Sequence, residues 1–262
     1  MAATTRIVDH HRIGLTSLDR LVYPEAGVTK GDVVDYVEAV APHLTRYTRG
    51  RPATRKRWMR GVGTAKDPGD SFFHKNLDDD APSWIRSYVI RHEDHRNRYP
   101  LLDDAASLVW FAQRGTLEFH VPQWRFRAGG AQQPPDRLVL DLDPGPGADL
   151  AACVEVALLA RAALDAEGLG CVPVTSGSKG IHLYAPLDGT LSVGDANGLA
   201  HRLASRLEDD RPEFVTANLR KARREGRVLV DWSQNNGAKT TISPFSLRGR
   251  LGATVAVPRH WD

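Results

Sequence analysis

The stretch Arg137-Leu138-Val139-Leu140-Asp141-Leu142-Asp143-Pro144-Gly145 constrains the chain more than any other. An apolar run that meets two acids and then a Pro-Gly break reads as a buried β-strand ending in a turn. Side chains alternate across a strand, so Leu138, Leu140 and Leu142 share one face while Val139, Asp141 and Asp143 share the other. The two carboxylates then stand side by side, roughly 6–7 Å apart at Cα, and repel each other unless a cation or a proton is present. Hard divalent cations such as magnesium or manganese take carboxylate oxygens and relieve that repulsion. A lone Asp-x-Asp more often just faces water, so the metal reading needs support elsewhere.

Two later segments supply it. Cys171–Thr175 and Ile181–Tyr184 read as strands joined by Ser176-Gly177-Ser178-Lys179-Gly180. Small residues there expose backbone N–H groups, and with Lys179 they form a turn that can cradle phosphate. Ile181 and Leu183 take the buried face, leaving His182 and Tyr184 on the other. The turn lacks P-loop spacing, and in isolation it fits a plain flexible hairpin equally well. Val228-Leu-Val-Asp231 then places a third acid at the end of an apolar strand, after the basic run Arg220, Lys221, Arg223, Arg224 and Arg227, which by itself reads as a solvated face. The turn Gln234–Gly237 opens a strand pair that carries Arg248 and Arg250 on one face if it is extended. Helices are expected over 149–167, closed by Gly168, and over 192–209.

In the first half, Thr29 is a good N-cap for a helix with Val33, Tyr36, Val37 and Val40 on one face. Lys30 falls in its first turn, where a helix N-terminus and a lysine make an anion site; from this segment alone a solvated surface lysine is favoured. Arg51 to Arg60 interleaves cations with Trp58, and Phe72-Phe73 follows a loop, with Lys75 close behind. Adjacent residues in a strand point opposite ways, so one Phe is expected buried and one exposed, the latter able to stack on a base. Leu117, Phe119 and Val121 form one strand face and Glu118 with His120 the other; a hydrogen-bonded structural histidine is nearly as good a reading of His120 as a functional one. The loop Gly129–Pro135 is the lobe boundary, dividing a single catalytic domain into lobes of about 1–128 and 136–262.

The 262 residues, 41% hydrophobic and 26% charged, suffice for a soluble globular core. With a net charge of only +3, any electrostatic footprint comes from local clusters. No apolar run is long enough to cross a bilayer and the start shows no secretory signal, so a cytoplasmic protein is expected. Cys153 and Cys171 read as core fillers in a reducing compartment.

Three carboxylates at strand ends can hold two divalent ions about 3.5–4 Å apart, the arrangement that serves nucleotidyl transfer. Asp141-Leu-Asp143-Pro-Gly, Ser176-Gly-Ser-Lys-Gly-Ile-His182, Val230-Asp231-Trp-Ser-Gln-Asn and Ser246-Leu-Arg-Gly-Arg250 resemble the motifs of archaeo-eukaryotic primase-type polymerases, the closest match being the polymerase domain of bacterial DNA ligase D and its standalone relatives. Arg51-Pro-Ala-Thr-Arg-Lys-Arg-Trp58 and His120-Val-Pro-Gln-Trp124 are similar to that family too, so the resemblance spans nearly the whole chain.

The resemblance implies an α/β (α+β), primase-like fold: mostly antiparallel central sheets flanked by helices, in two lobes around a cleft. It implies a template-dependent polymerase that fills short gaps or break ends, often favouring ribonucleotides, with two divalent ions, manganese or magnesium, on Asp141, Asp143 and Asp231. Ser176, Lys179, His182 and Arg248 would contact the incoming nucleoside triphosphate, and His120 would lie close to its sugar. Phe72 and Phe73 match a pair that stacks on template bases, while Ser17, Arg20 and Lys30 align with a pocket for a downstream 5′-phosphate. An Asn and a Lys are expected where Ser17 and Arg20 stand, and the loop from Gly61 to Asp70 looks longer than usual. A further short segment is expected after Asp262. Partners would be gapped or broken-end DNA, an ATP-dependent ligase acting in trans and an end-binding repair protein, in a bacterial nucleoid. Rival readings are another Asp-x-Asp enzyme, such as a glycosyltransferase or aspartyl phosphatase, or a non-catalytic nucleic-acid-binding module. Neither enzyme needs Asp231 together with the Ser-Gly-Ser-Lys-Gly hairpin, and a binding module gains nothing from three acids.

Overall fold

A computed structural model describes residues 4–261. They form two compact units. The first comprises the chain up to Val121 together with Phe126–Gly130 and Ile242–Val255; the second comprises Pro122–Arg125, Ala131–Thr241 and the end from Ala256. The segment 242–255 therefore packs with the N-terminal unit, although in the sequence it follows the third acid.

In the first unit, α1 (Lys30–Thr48) begins at Thr29, whose hydroxyl accepts from the Asp32 amide while the Asp32 carboxylate accepts from the Thr29 amide. Val33, Val37, Ala41 and Leu44 form its buried side and pack with α2 (Ala105–Gln113). The strands Thr116–Val121, Thr54–Arg57 and Phe72–His74 pair antiparallel in that order, the Phe strand lying at the sheet edge. A separate hairpin pairs Ser87–Arg91 with Arg96–Pro100. The core contains buried cations. Arg55 is fully buried, its guanidinium 4.3 Å from the Phe111 ring and 2.6 Å from an Asp78 oxygen, and Arg57 meets the other Asp78 oxygen at 2.9 Å.

The second unit is a six-stranded sheet in the order Val215–Thr216, Val228–Asp231, Arg137–Pro144, Ile181–Pro186, Val172–Thr175, Val257–Pro258. Its pairings are antiparallel except the first. The helices α3 (Leu150–Ala166) and α4 (Val193–Asp210) start on the side-chain caps Asp149 and Ser192. Their buried residues, Cys153, Val156, Ala160 and Leu164 with Ala200, Leu203 and Leu207, share one core with Leu138, Leu140 and Leu142. Because that core claims the leucine face of the strand, period-two alternation sends Asp141 and Asp143 to the opposite face. Cys153 is buried as expected, whereas Cys171 is half-buried.

Candidate functional site

Three carboxylates gather where the middle strands of the second unit end. In the antiparallel register Asp141 lies opposite Asp231 on one neighbouring strand and opposite His182 on the other. Asp143, two residues on, returns to the same face. His182 is buried and its Nε2 lies 3.2 Å from Asp141 Oδ1, while its Nδ1 has no hydrogen-bond partner among the described residues. Asp231 caps a short 3-10 helix, Trp232–Asn235: its Oδ1 accepts from the Ser233 amide at 2.9 Å and from the Ser233 hydroxyl. Gln234 Nε2 donates to Asp231 Oδ2 at 3.0 Å and lies 3.5 Å from Asp141 Oδ2, so one amide spans the two acids. Lys239 Nζ donates to the Ser233 hydroxyl. The Asn235 side chain accepts from the Val139 amide at 2.8 Å and donates to the Val139 carbonyl at 2.7 Å, clasping the acid-bearing strand like an added strand.

This packing leaves negative charge poorly compensated. Burial, reinforced by the Asp141 and Asp231 charges and only partly offset by His182 and Arg224, pushes the Asp143 carboxyl up to about 6. A carboxylate set that resists its own ionisation suits a hard divalent cation. Among the described residues no three His, Cys, Asp or Glu side chains are already closed around a metal-sized point. Two of the three acids spend oxygens on Ser233, Gln234 and His182 instead.

The Ser176–Gly180 turn connects its two strands as expected, with Thr175 paired to Ile181. It is not an open nest of amides. The buried Ser176 hydroxyl accepts from the Ser178 amide at 3.2 Å and the Gly180 amide at 3.1 Å, so two of the turn's amides are already engaged. Lys179 stands exposed at the tip. Gly180 is obligatory, since a Cβ there would collide with the Leu142 carbonyl.

In the first unit Glu118 and His120 share a strand face, as alternation requires, but that face is buried. His120 Nε2 lies 2.9 Å from Glu118 Oε2, and Arg248 Nε is 3.5 Å from Glu118 Oε1. Arg248 and Arg250 are not on a regular strand; only an isolated bridge, Leu247 with Val255, marks this stretch, and the backbone between them turns. Phe72 and Phe73 are both exposed, at 44% and 56%, which corrects the expected division into one buried and one exposed. A three-residue edge strand has too little covering either face to bury one of them. Each ring instead meets a cation or an imidazole, Phe73 edge-on to His120 with Lys56 nearby and Phe72 under Arg57.

Lys30 is likewise not a solvated lysine. It is buried, its Nζ donates to the Thr16 carbonyl at 2.8 Å, and burial together with the Arg20 charge lowers it to about 8. The helix amides beside it are taken: Lys30 N donates to Arg20 O, Gly31 N to Leu18 O and Asp32 N to the Thr29 hydroxyl. Ser17 has a positive φ of 54°, and Arg20 donates to the Met59 carbonyl at 2.8 Å. Any anion site here is built from side chains rather than from the helix end.

Gln234 and Asn235 fall inside the Val230–Asn235 motif without a role of their own there, and Lys239 reads only as part of a strand end, yet all three help to fix the acids. Glu118 is legible only as a neighbour of His120.

This α+β fold is shared with a solved structure. The polymerase domain of Mycobacterium tuberculosis ligase D, determined in complex with DNA, matches with a TM-score of 0.90 and 48% identity, over 95% of this chain and 87% of that one. The multifunctional non-homologous end joining DNA repair protein LigD of M. tuberculosis H37Rv is 48% identical over 255 residues, 95% of this chain and 33% of the relative. The bifunctional LigD of Bacillus subtilis is 30% identical over 253 residues, 96% of this chain and 39% of the relative. The chain thus spans about a third of the length of these relatives. Residues 29–262 match the model of the LigD primase-polymerase domain, and the chain belongs to that family, a family of nucleotidyltransferases. No helix among the described residues is long and apolar enough to cross a membrane.

Proposed function

We propose that this chain is a template-dependent DNA-repair polymerase that fills short gaps or break ends by two-metal catalysis and prefers ribonucleotides. The observation that carries the reading is the placement of Asp141, Asp143 and Asp231 on one face of adjacent strands, with Asp143 pushed up to about 6 by burial and by the charges of the other two. Their hard oxygen donors fit magnesium or manganese, which Asp141, Asp143 and Asp231 would hold. When bound, such ions neutralise charge on the reacting phosphate and activate the attacking hydroxyl. His182 and Gln234 orient the Asp141 carboxylate, and Ser233 with Gln234 orients Asp231. Ser176, Lys179, His182 and Arg248 would take the triphosphate, and His120 the sugar side. The exposed Phe72 and Phe73 rings, beside Arg57 and Lys56, suit stacked template bases. Ser17, Arg20 and Lys30 would meet a downstream 5′-phosphate.

The substrates would be ribo- or deoxynucleoside triphosphates and gapped or broken-end DNA, with an ATP-dependent ligase in trans and an end-binding protein as partners at the nucleoid. The test is extension of a labelled primer across a short 5′-phosphorylated gap, with each nucleotide type and with manganese or magnesium. Templated addition that disappears in Asp141→Ala/Asp143→Ala supports the reading. A wild type that binds the gap but adds nothing reduces it to a binding module.

A further inference from the structure

We propose that Glu118 is the positioning residue of the first unit: its single carboxylate fixes the ring orientation and tautomer of His120 and anchors the Arg248–Gly249 backbone beside it. The functional weight of this rests on reading His120 and Arg248 as nucleotide contacts; the geometry does not.

Glu118 is 4% exposed, and a carboxylate so withdrawn from water is tolerated only where donors converge on it. They do. His120 Nε2 donates to Oε2 at 2.9 Å, the Gly249 amide donates to Oε1 at 3.1 Å, and Arg248 Nε stands 3.5 Å from Oε1. Burial alone would raise the Glu118 carboxyl. The His120 hydrogen bond, the Arg248 charge and the Gly249 amide outweigh it and hold the group at about 2. An ionised carboxylate only accepts, so the proton between the two side chains belongs to Nε2. Burial lowers the His120 pKa, and the charges of Arg248 and Lys56 oppose that of Glu118, so the ring is neutral at ordinary pH. With the proton on Nε2, its Nδ1 is the ring's acceptor.

The other arm of Glu118 fixes the arginine. The Tyr23 hydroxyl donates to the Arg248 carbonyl at 2.9 Å, and the Arg248 amide donates to Thr254 O at 2.8 Å. Gly249 packs so closely on the Trp58 ring that a Cβ would collide with it. At 3.5 Å the Arg248 Nε pairs with Glu118 through charge without a hydrogen bond, so the carboxylate keeps the guanidinium in range without locking it. A neutral acceptor and an ion-paired cation are thereby held by one buried carboxylate.

The test reads the imidazole directly, by 15N NMR of His120 in the whole chain. The expected result at pH 7 is protonated Nε2 and bare Nδ1; a ring protonated on Nδ1 overturns the proposal whatever any variant does. Glu118→Gln can still accept from Gly249 but offers an N–H to His120, so it should reverse the tautomer while keeping the ring in place. KM for the incoming nucleoside triphosphate should then rise about tenfold or more, with kcat changing less. An unchanged tautomer and KM in that variant would contradict the assignment. If the wild type adds no nucleotide at all, the polymerase reading fails while the NMR result still decides the role of Glu118.

Discussion

The two units treat buried charge in opposite ways. In the first, Asp78 sits between Arg55 and Arg57, and although burial would raise its carboxyl, those guanidiniums hold it below the usual range. In the second, Asp143 is half-buried like Asp78 but has two carboxylates for neighbours, and it is pushed up to about 6. Burial raises both carboxyls; the net shifts are opposite because Asp78 is in contact with Arg55 and Arg57, whereas Asp143 has two further carboxylates nearby and only His182 and Arg224 to offset them. The first arrangement is complete as folded. The second keeps a carboxyl whose charge its own neighbours do not balance, which is the property the proposed cation site relies on.

That contrast can be broken first at Asp78. Asp78→Ala strips the partner from the fully buried Arg55 and should cost about 3–5 kcal/mol in denaturant unfolding. A loss no larger than that of a surface ion pair would mean Arg55 finds water or another acceptor.

Glu118 gives the next largest effect. Its folded pKa, about 2, lies below its ordinary 4.5, so its contribution is fully present above pH 4.5 and is lost as pH falls toward 2. Acid unfolding should show about 2–3 kcal/mol across that window, absent in Glu118→Gln. Asp143→Asn should do the reverse of Asp78→Ala. In buffer free of divalent ions it relieves repulsion and should stabilise the chain by up to about 2 kcal/mol, while nucleotide addition is lost. The smallest effect is expected at Lys30. Lys30→Ala should weaken binding of gapped DNA carrying a 5′-phosphate by about 1 kcal/mol more than binding of the same DNA without it. Because Lys30 is lowered to about 8, the wild-type preference should fade as pH rises through that value. Equal losses on the two DNAs would make Lys30 a structural tether to Thr16.

Much of this was legible in the sequence because it is local. Alternation placed the leucines of 138–142 and the acids on opposite faces, Thr29 announced α1, and the Ser176–Gly180 break announced a hairpin. What was not legible depends on contacts far along the chain. The Lys30 side chain reads as exposed until the carbonyls of Thr16, Leu18 and Arg20 fold over the helix start. The amides of the hairpin look free until Ser176 turns back on them. Glu118 becomes a hub only when Arg248 and Gly249, about 130 residues later, return to the first unit. Phe72 and Phe73 defeat simple alternation because an edge strand three residues long has little to bury them.

If a divalent cation binds this chain, it should choose the carboxylates that lack arginine partners over Asp78 and Glu118. Manganese titration followed by paramagnetic broadening of amide signals tests it most directly. Broadening is expected to centre on Asp141, Asp143 and Asp231 and to be absent in Asp141→Ala/Asp143→Ala, with the signals around Asp78 and Glu118 untouched at the same ion concentration. Broadening at Asp78–Asp80, or none around the three acids, would contradict it.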